Sequence, residues 1–131
     1  MTTNEGLSDA ERWEQGMSLR RVVLGGEHVD SSIAETTDLT ADFQDFITRV
    51  AWGDVWSRPG LDRRSRSIAV LSSLIALGHH DELAMHLRAA LRNGLSAGEI
   101  TEVILQSAVY AGLPAANSAF RIANEVLRED D

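Results

Sequence analysis

Two Ser-x-x-Glu capping boxes and a run of well-spaced glycines cut this chain into helix-length pieces, and that punctuation constrains the fold more than any other feature. Ser8-x-x-Glu11 opens a helix carrying Trp13, Met17, Leu19 and Val23, which stops near Gly25-Gly26. A polar connector is expected over residues 27–38. A second helix starts near Thr40, places Phe43, Phe46, Ile47 and Val50 at helical spacing, and ends around Gly53. Residues 54–60 read as a connector that Pro59-Gly60 marks as a turn. Asp62 caps a third helix ending at Gly78, apolar over most of its circumference after Ser67 and therefore expected to be central and buried. A fourth runs from about His80 to Gly94, and Ser96-x-x-Glu99 opens a fifth that ends at Gly112. Pro114 sits where a first turn tolerates proline, so a sixth helix follows to about Arg128.

Six helices and no convincing strand predict an all-α fold, a helical bundle in one domain spanning residues 1–131. Residues 1–7 are expected to be frayed, and residues 8–38 form an N-terminal helix and connector that look loosely attached. Small residues crowd the last two helices, among them Ser107, Ala108, Ala111, Ala115, Ala119 and Ala123. They permit close helix approach within one subunit or between subunits.

Composition removes several chemistries. All 12 basic residues are arginine, so no lysine is present to form a Schiff base with a carbonyl substrate or pyridoxal phosphate. The absence of cysteine excludes disulfides, thiolate nucleophiles and Cys-ligated metal. A net charge of −8 argues against nucleic acid and anionic membranes as partners. The longest apolar stretch, residues 68–77, is too short to cross a bilayer, and no signal peptide is visible, so a soluble cytoplasmic protein is expected.

Glu82 and His86 stand four apart on one predicted helix and share a face. A carboxylate beside an imidazole raises its proton affinity and orients it, which makes an acid–base pair. On spacing alone, the bland reading is a surface pair contributing ~0.3–0.5 kcal/mol. His79, Glu82 and His86 also resemble zinc ligands in kind, although His79 is expected to precede the helix. Arg58, Arg63, Arg64 and Arg66 make a local positive patch in an acidic chain. Guanidinium forks match carboxylates, so a di- or tricarboxylate fits them. Arg63 and Arg64 read better as partners of the acidic excess, while Arg66, leading into the apolar helix, is the better ligand candidate. Trp52 and Trp56, four apart, either wall and dry a pocket or serve as core. Tyr110 and Asn117 are polar groups in apolar helices, either satisfied in the core or donors to a ligand.

Residues 82–94, 99–106 and 110–120, with residues 42–53 and 56–67 upstream, resemble the carboxymuconolactone decarboxylase family in order and spacing over about residues 9–128. The resemblance implies an all-α fold shared with the alkyl hydroperoxidase AhpD-like proteins, assembled as a homo-oligomer, typically a hexamer. It implies decarboxylation of 4-carboxymuconolactone to the 3-oxoadipate enol-lactone in protocatechuate catabolism, with a small carboxylated lactone as substrate and no cofactor or metal. Peroxidase relatives carry Cys-x-x-Cys before a His matching His86; here those positions hold His79 and Glu82, so thiol peroxidase chemistry is lost. Many relatives have an acid after the arginine at Arg66, where this chain has Ser67. The roles that follow are His86 for proton transfer with Glu82 orienting it, Arg66 and Arg58 for carboxylate, Trp52 and Trp56 for the pocket, and Tyr110 as a further ligand contact. Alternatives are a decarboxylase or isomerase acting on another unsaturated lactone or keto acid, a catalytically silent oligomeric ligand-binding protein, and a metal-dependent hydrolase using His79 and His86.

Overall fold

The computed structural model describes residues 4–129, which form seven α-helices and one π-helix with no strand. The chain divides into two compact units, residues 1–62 and 63–131.

The first unit opens on α1, Asp9–Leu24, whose Ser8–Glu11 capping box is formed in both directions. Gly25, at φ 93° and ψ 141°, ends it in a conformation that only glycine adopts readily, and the chain turns at once into α2, Gly26–Ala34. This corrects the connector expected over residues 27–38. Val29 is fully buried and anchors a helix that its mostly polar neighbours concealed. After a turn, α3, Ala41–Phe46, passes directly into a π-helix, Ile47–Trp56, so the second helix does not end at Gly53 and the connector after it is correspondingly shorter. α1 is not loosely held within this unit. A Cβ on Gly16 would stand 2.0 Å from the carbonyl oxygen of Thr48, and one on Gly53 would stand 2.6 Å from that of Arg12. The two helices therefore meet backbone to backbone. Of the start expected to be frayed, residues 1–3 lie outside the described residues. Asn4 bonds the Gly53 carbonyl oxygen and donates to Asp54 Oδ1 at 2.7 Å.

The second unit is a four-helix arrangement of α4 (Arg63–Leu77), α5 (His80–Arg92), α6 (Ala97–Ala111) and α7 (Leu113–Arg128). Its core gathers Leu71, Leu83, Leu87, Ile104, Ile122 and Val126 among others. Each buried aliphatic chain of this kind contributes roughly 1.5–3 kcal/mol relative to exposure. α4 is less central than its apolar run suggests: Ser67, Leu71 and Ile75 form a single buried stripe, while Leu77 is exposed. The Ser96–Glu99 capping box opens α6, and Pro114 lies in the first turn of α7, both as read from sequence. α6 and α7 pack through small side chains, with Ser107, Ala116, Ala119 and Ala123 buried. No helix among the described residues is long and apolar enough to cross a membrane.

Candidate active site

In the first unit the functional candidates sit on and just after the π-helix. An i→i+5 ladder takes more residues per turn than an α-helix, so side chains four apart come nearly above one another. Trp52 and Trp56 accordingly stack, with ring centroids 4.9 Å apart and planes inclined by 25°. Trp52 is buried and Trp56 half-buried. Arg58, also half-buried, follows in the turn that bonds its N–H to the Val55 carbonyl at 3.1 Å.

The π-helix is held along its length by α1. Arg12 forks onto Asp54, with Nε donating to Oδ1 at 2.8 Å and Nη2 to Oδ2. That fork, aided by a hydrogen bond from Asn4, holds the Asp54 carboxyl below the ordinary aspartate range and raises the guanidinium's own affinity for its proton. Gln15 and Ser57 both donate to the Gly53 carbonyl oxygen. Arg20 is buried and donates through Nη1 and Nη2 to Gln44 Oε1, each at 3.3 Å, and through Nη1 to Thr48 Oγ1 at 3.4 Å. Burial pushes its pKa down from the usual value. None of these supporting residues stood out as functional in the sequence; the one available signal was a glycine, Gly16, in the middle of α1.

In the second unit, Glu82 and His86 lie on the same face of α5, one turn apart, as expected. Glu82, in the first turn, is exposed and makes no hydrogen bond or ion pair with any described residue; His86 is half-buried. His79 is the N-terminal cap position of α5 and exposed, and no group of three potential ligands among the described residues is placed to hold a metal ion. Arg66 is half-buried on the first turn of α4. Beside it, buried Ser67 accepts a hydrogen bond from Asn93 at 3.4 Å, which brings the start of α4 next to the end of α5. His86 stands seven residues before Asn93, about 10 Å along α5. Arg64 pairs with Glu99, in keeping with its reading as a partner of the acidic excess, whereas Arg63 is exposed with no ion pair to any described residue. Tyr110 is 83% exposed at the end of α6, at the rim of a cavity of about 190 Å³ lined also by Ser72, Ala76, Gln106 and Ser107. Asn117 is exposed on α7.

Residues 41–125 match the model of the carboxymuconolactone decarboxylase family. The chain belongs to this family. A 4-carboxymuconolactone decarboxylase of Acinetobacter baylyi is 49% identical over 123 residues, covering 94% of this chain and 92% of the relative. A nitrosuccinic acid decarboxylase of Metarhizium robertsii is 38% identical over 117 residues, 89% of this chain and 82% of its own length. A 48-residue 4-carboxymuconolactone decarboxylase sequence of Pseudomonas putida is matched over its whole length at 42% identity. The family match begins at α3 and reaches α7, so it takes in residues of both units.

Proposed function

We propose that this protein decarboxylates 4-carboxymuconolactone to the 3-oxoadipate enol-lactone and CO2 without a cofactor, within protocatechuate catabolism. The observation that carries this reading is 49% identity across nearly the whole chain to a decarboxylase of that name. The chemistry asks little of the protein beyond placement and a proton. The leaving carboxylate is on a ring carbon conjugated through a C=C bond to the lactone carbonyl. When that C–C bond breaks, its electron pair enters the ring as a dienolate with charge on the carbonyl oxygen. A proton then adds to the carbon alpha to the carbonyl.

In this proposal His86 delivers the proton, and Glu82, exposed one turn before it on the same face, comes to orient it only once substrate fills the site. Arg66 and Arg58 bind carboxylate by forked hydrogen bonds. Trp52 and Trp56 wall the pocket and keep water from the developing oxyanion, and Tyr110 contacts the ligand. The chain acts as one functional domain with an AhpD-like fold, assembled as a homohexamer in the cytoplasm.

The test is an absorbance assay of lactone turnover on the purified protein, with and without chelator. His86→Ala and Glu82→Gln are expected to lower kcat by about 10²–10⁴-fold and less, respectively, the range for general acid–base groups. Wild-type kcat in both removes the pair. Arg66→Ala is expected to raise KM, and unchanged kinetics removes that assignment.

A second reading is favoured by the 38% identity to the nitrosuccinic acid decarboxylase. Nitrosuccinate loses the carboxylate from its nitro-bearing carbon, the electron pair enters the nitro group as a nitronate, and a proton returns to that carbon. The demands are the same: a second carboxylate to grip, a delocalised anion to shelter and one proton to supply. Parallel assays with nitrosuccinate and the lactone decide between them by the ratio of kcat/KM.

A further inference from the structure

Arg12, Gly16 and Arg20 are spaced four apart on α1 and form one line of contact along the π-helix. Arg12 holds the far end through Asp54, and Gly16 lets the two backbones touch. Arg20 reaches the near end, where the α-helical ladder of α3 gives way to the π-helix. There it joins Gln44 of α3 to Thr48 of the π-helix, and the Thr48 hydroxyl in turn donates to the Gln44 carbonyl at 2.8 Å.

The electrostatics of this contact are unusual. Arg20 is 6% exposed, and a guanidinium does not give up its proton in a protein. Its partners are neutral oxygens at 3.3–3.4 Å, and its Nε, buried, makes no hydrogen bond to any described residue. Arg12 and Arg88 both use the Nε–Nη2 edge to grip a carboxylate; Arg20 has none there among the described residues. Burying an ion against dipoles alone opposes folding, and an apolar side chain of the same length would serve packing better. What the guanidinium supplies is geometry: donors fanned in one plane across a helix junction.

We infer that Arg20 is a positioning residue, which fixes the register of the π-helix at Gln44 and Thr48 and thereby holds the Trp52–Trp56 stack. Thr48 lies four residues before Trp52 and eight before Trp56, so a shift at Thr48 is transmitted directly along the helix. The inference rests on the reading of that stack as the wall of the substrate pocket.

Three measurements on the full-length protein test it: the exciton couplet of the stacked indoles in circular dichroism without substrate, the thermal midpoint, and kcat and KM for 4-carboxymuconolactone. Trp52→Phe abolishes the couplet and identifies the signal. Arg20→Met is expected to leave the thermal midpoint unchanged or raised, to weaken the couplet, and to raise KM roughly tenfold with kcat changed far less, the scale of loss when a binding group moves by a fraction of an ångström to an ångström. A residue that merely props the fold would lower the midpoint and spare the couplet and KM. A native couplet in Arg20→Met overturns the inference. Should Arg20→Met not fold, Thr48→Val removes an acceptor of the same contact at constant volume, and a native couplet there overturns it equally. A lost couplet with unchanged KM overturns the positioning role by detaching the stack from the pocket. Failure of the wild-type protein to turn over the lactone instead strikes the proposed activity, and the couplet still decides whether Arg20 holds the stack.

Discussion

Arg12 and Arg20 sit two turns apart on one face of α1 and meet opposite electrostatic surroundings. Arg12 faces a carboxylate at the edge of solvent; Arg20 faces neutral oxygens in a buried site. The first pair makes stability depend on pH. Because Arg12 lowers the Asp54 pKa in the folded state, the pair's contribution is complete above the unfolded aspartate value of about 3.9 and is lost as pH falls through the folded value. Asp54→Asn is therefore expected to destabilise the protein at neutral pH and to flatten the decline of its thermal midpoint on acidification below about pH 5. An acid slope as steep as wild type would show that the pair is not a source of that decline. Glu129, held low by the Arg88 fork, adds a second contribution of the same sign that survives in this variant. The Glu82–His86 spacing was visible in sequence because both lie on one helix turn. The Arg20 contacts were not, because Gln44 and Thr48 are 24 and 28 residues away and nothing local marks them as partners.

At the scale of elements, five of the six expected helices have their counterparts at nearly the expected places, because capping boxes, glycine stops and Pro114 act through the local backbone. The second was right in place and wrong in kind. Its sequence has helical spacing, and whether a helix closes i→i+4 or i→i+5 depends on what leans against it. Here α1 leans against it at Gly16. A glycine to alanine change inside a helix ordinarily stabilises by about 1 kcal/mol. Gly16→Ala is expected to do the reverse, costing about 1–3 kcal/mol as an overpacked contact does, since the new Cβ meets a backbone carbonyl that cannot rotate away. Urea unfolding monitored by far-ultraviolet circular dichroism measures this, and a stabilised variant would refute the backbone contact. α2 is not legible in the sequence because Val29 is its one buried residue among those described, and its other large apolar residue, Ile33, stays exposed, so no apolar stripe marks it.

At the scale of the whole molecule, the surface of the second unit bears on the proposed assembly. Val109 and Leu113, at the junction of α6 and α7, are 77% exposed each, and Leu77 is exposed at the end of α4. A homo-oligomer would cover such side chains. Val109→Glu is expected to shift the sedimentation coefficient toward that of a monomer while leaving the helical signal intact; an unchanged particle mass would place the proposed interface elsewhere. Sequence by itself determined the all-α class, the approximate ends of five helices, the chemistries ruled out by missing lysine and cysteine, and the family. These follow from composition, from backbone signals read within a few residues, and from segment order. Only the tertiary structure decided that residues 26–34 are helical, that residues 47–56 wind as a π-helix, that Trp52 lies flat on Trp56, and that Arg20 is buried with no carboxylate partner among the described residues. Those depend on which distant backbones and side chains come to share space, and no periodicity in one segment encodes what another will press against it.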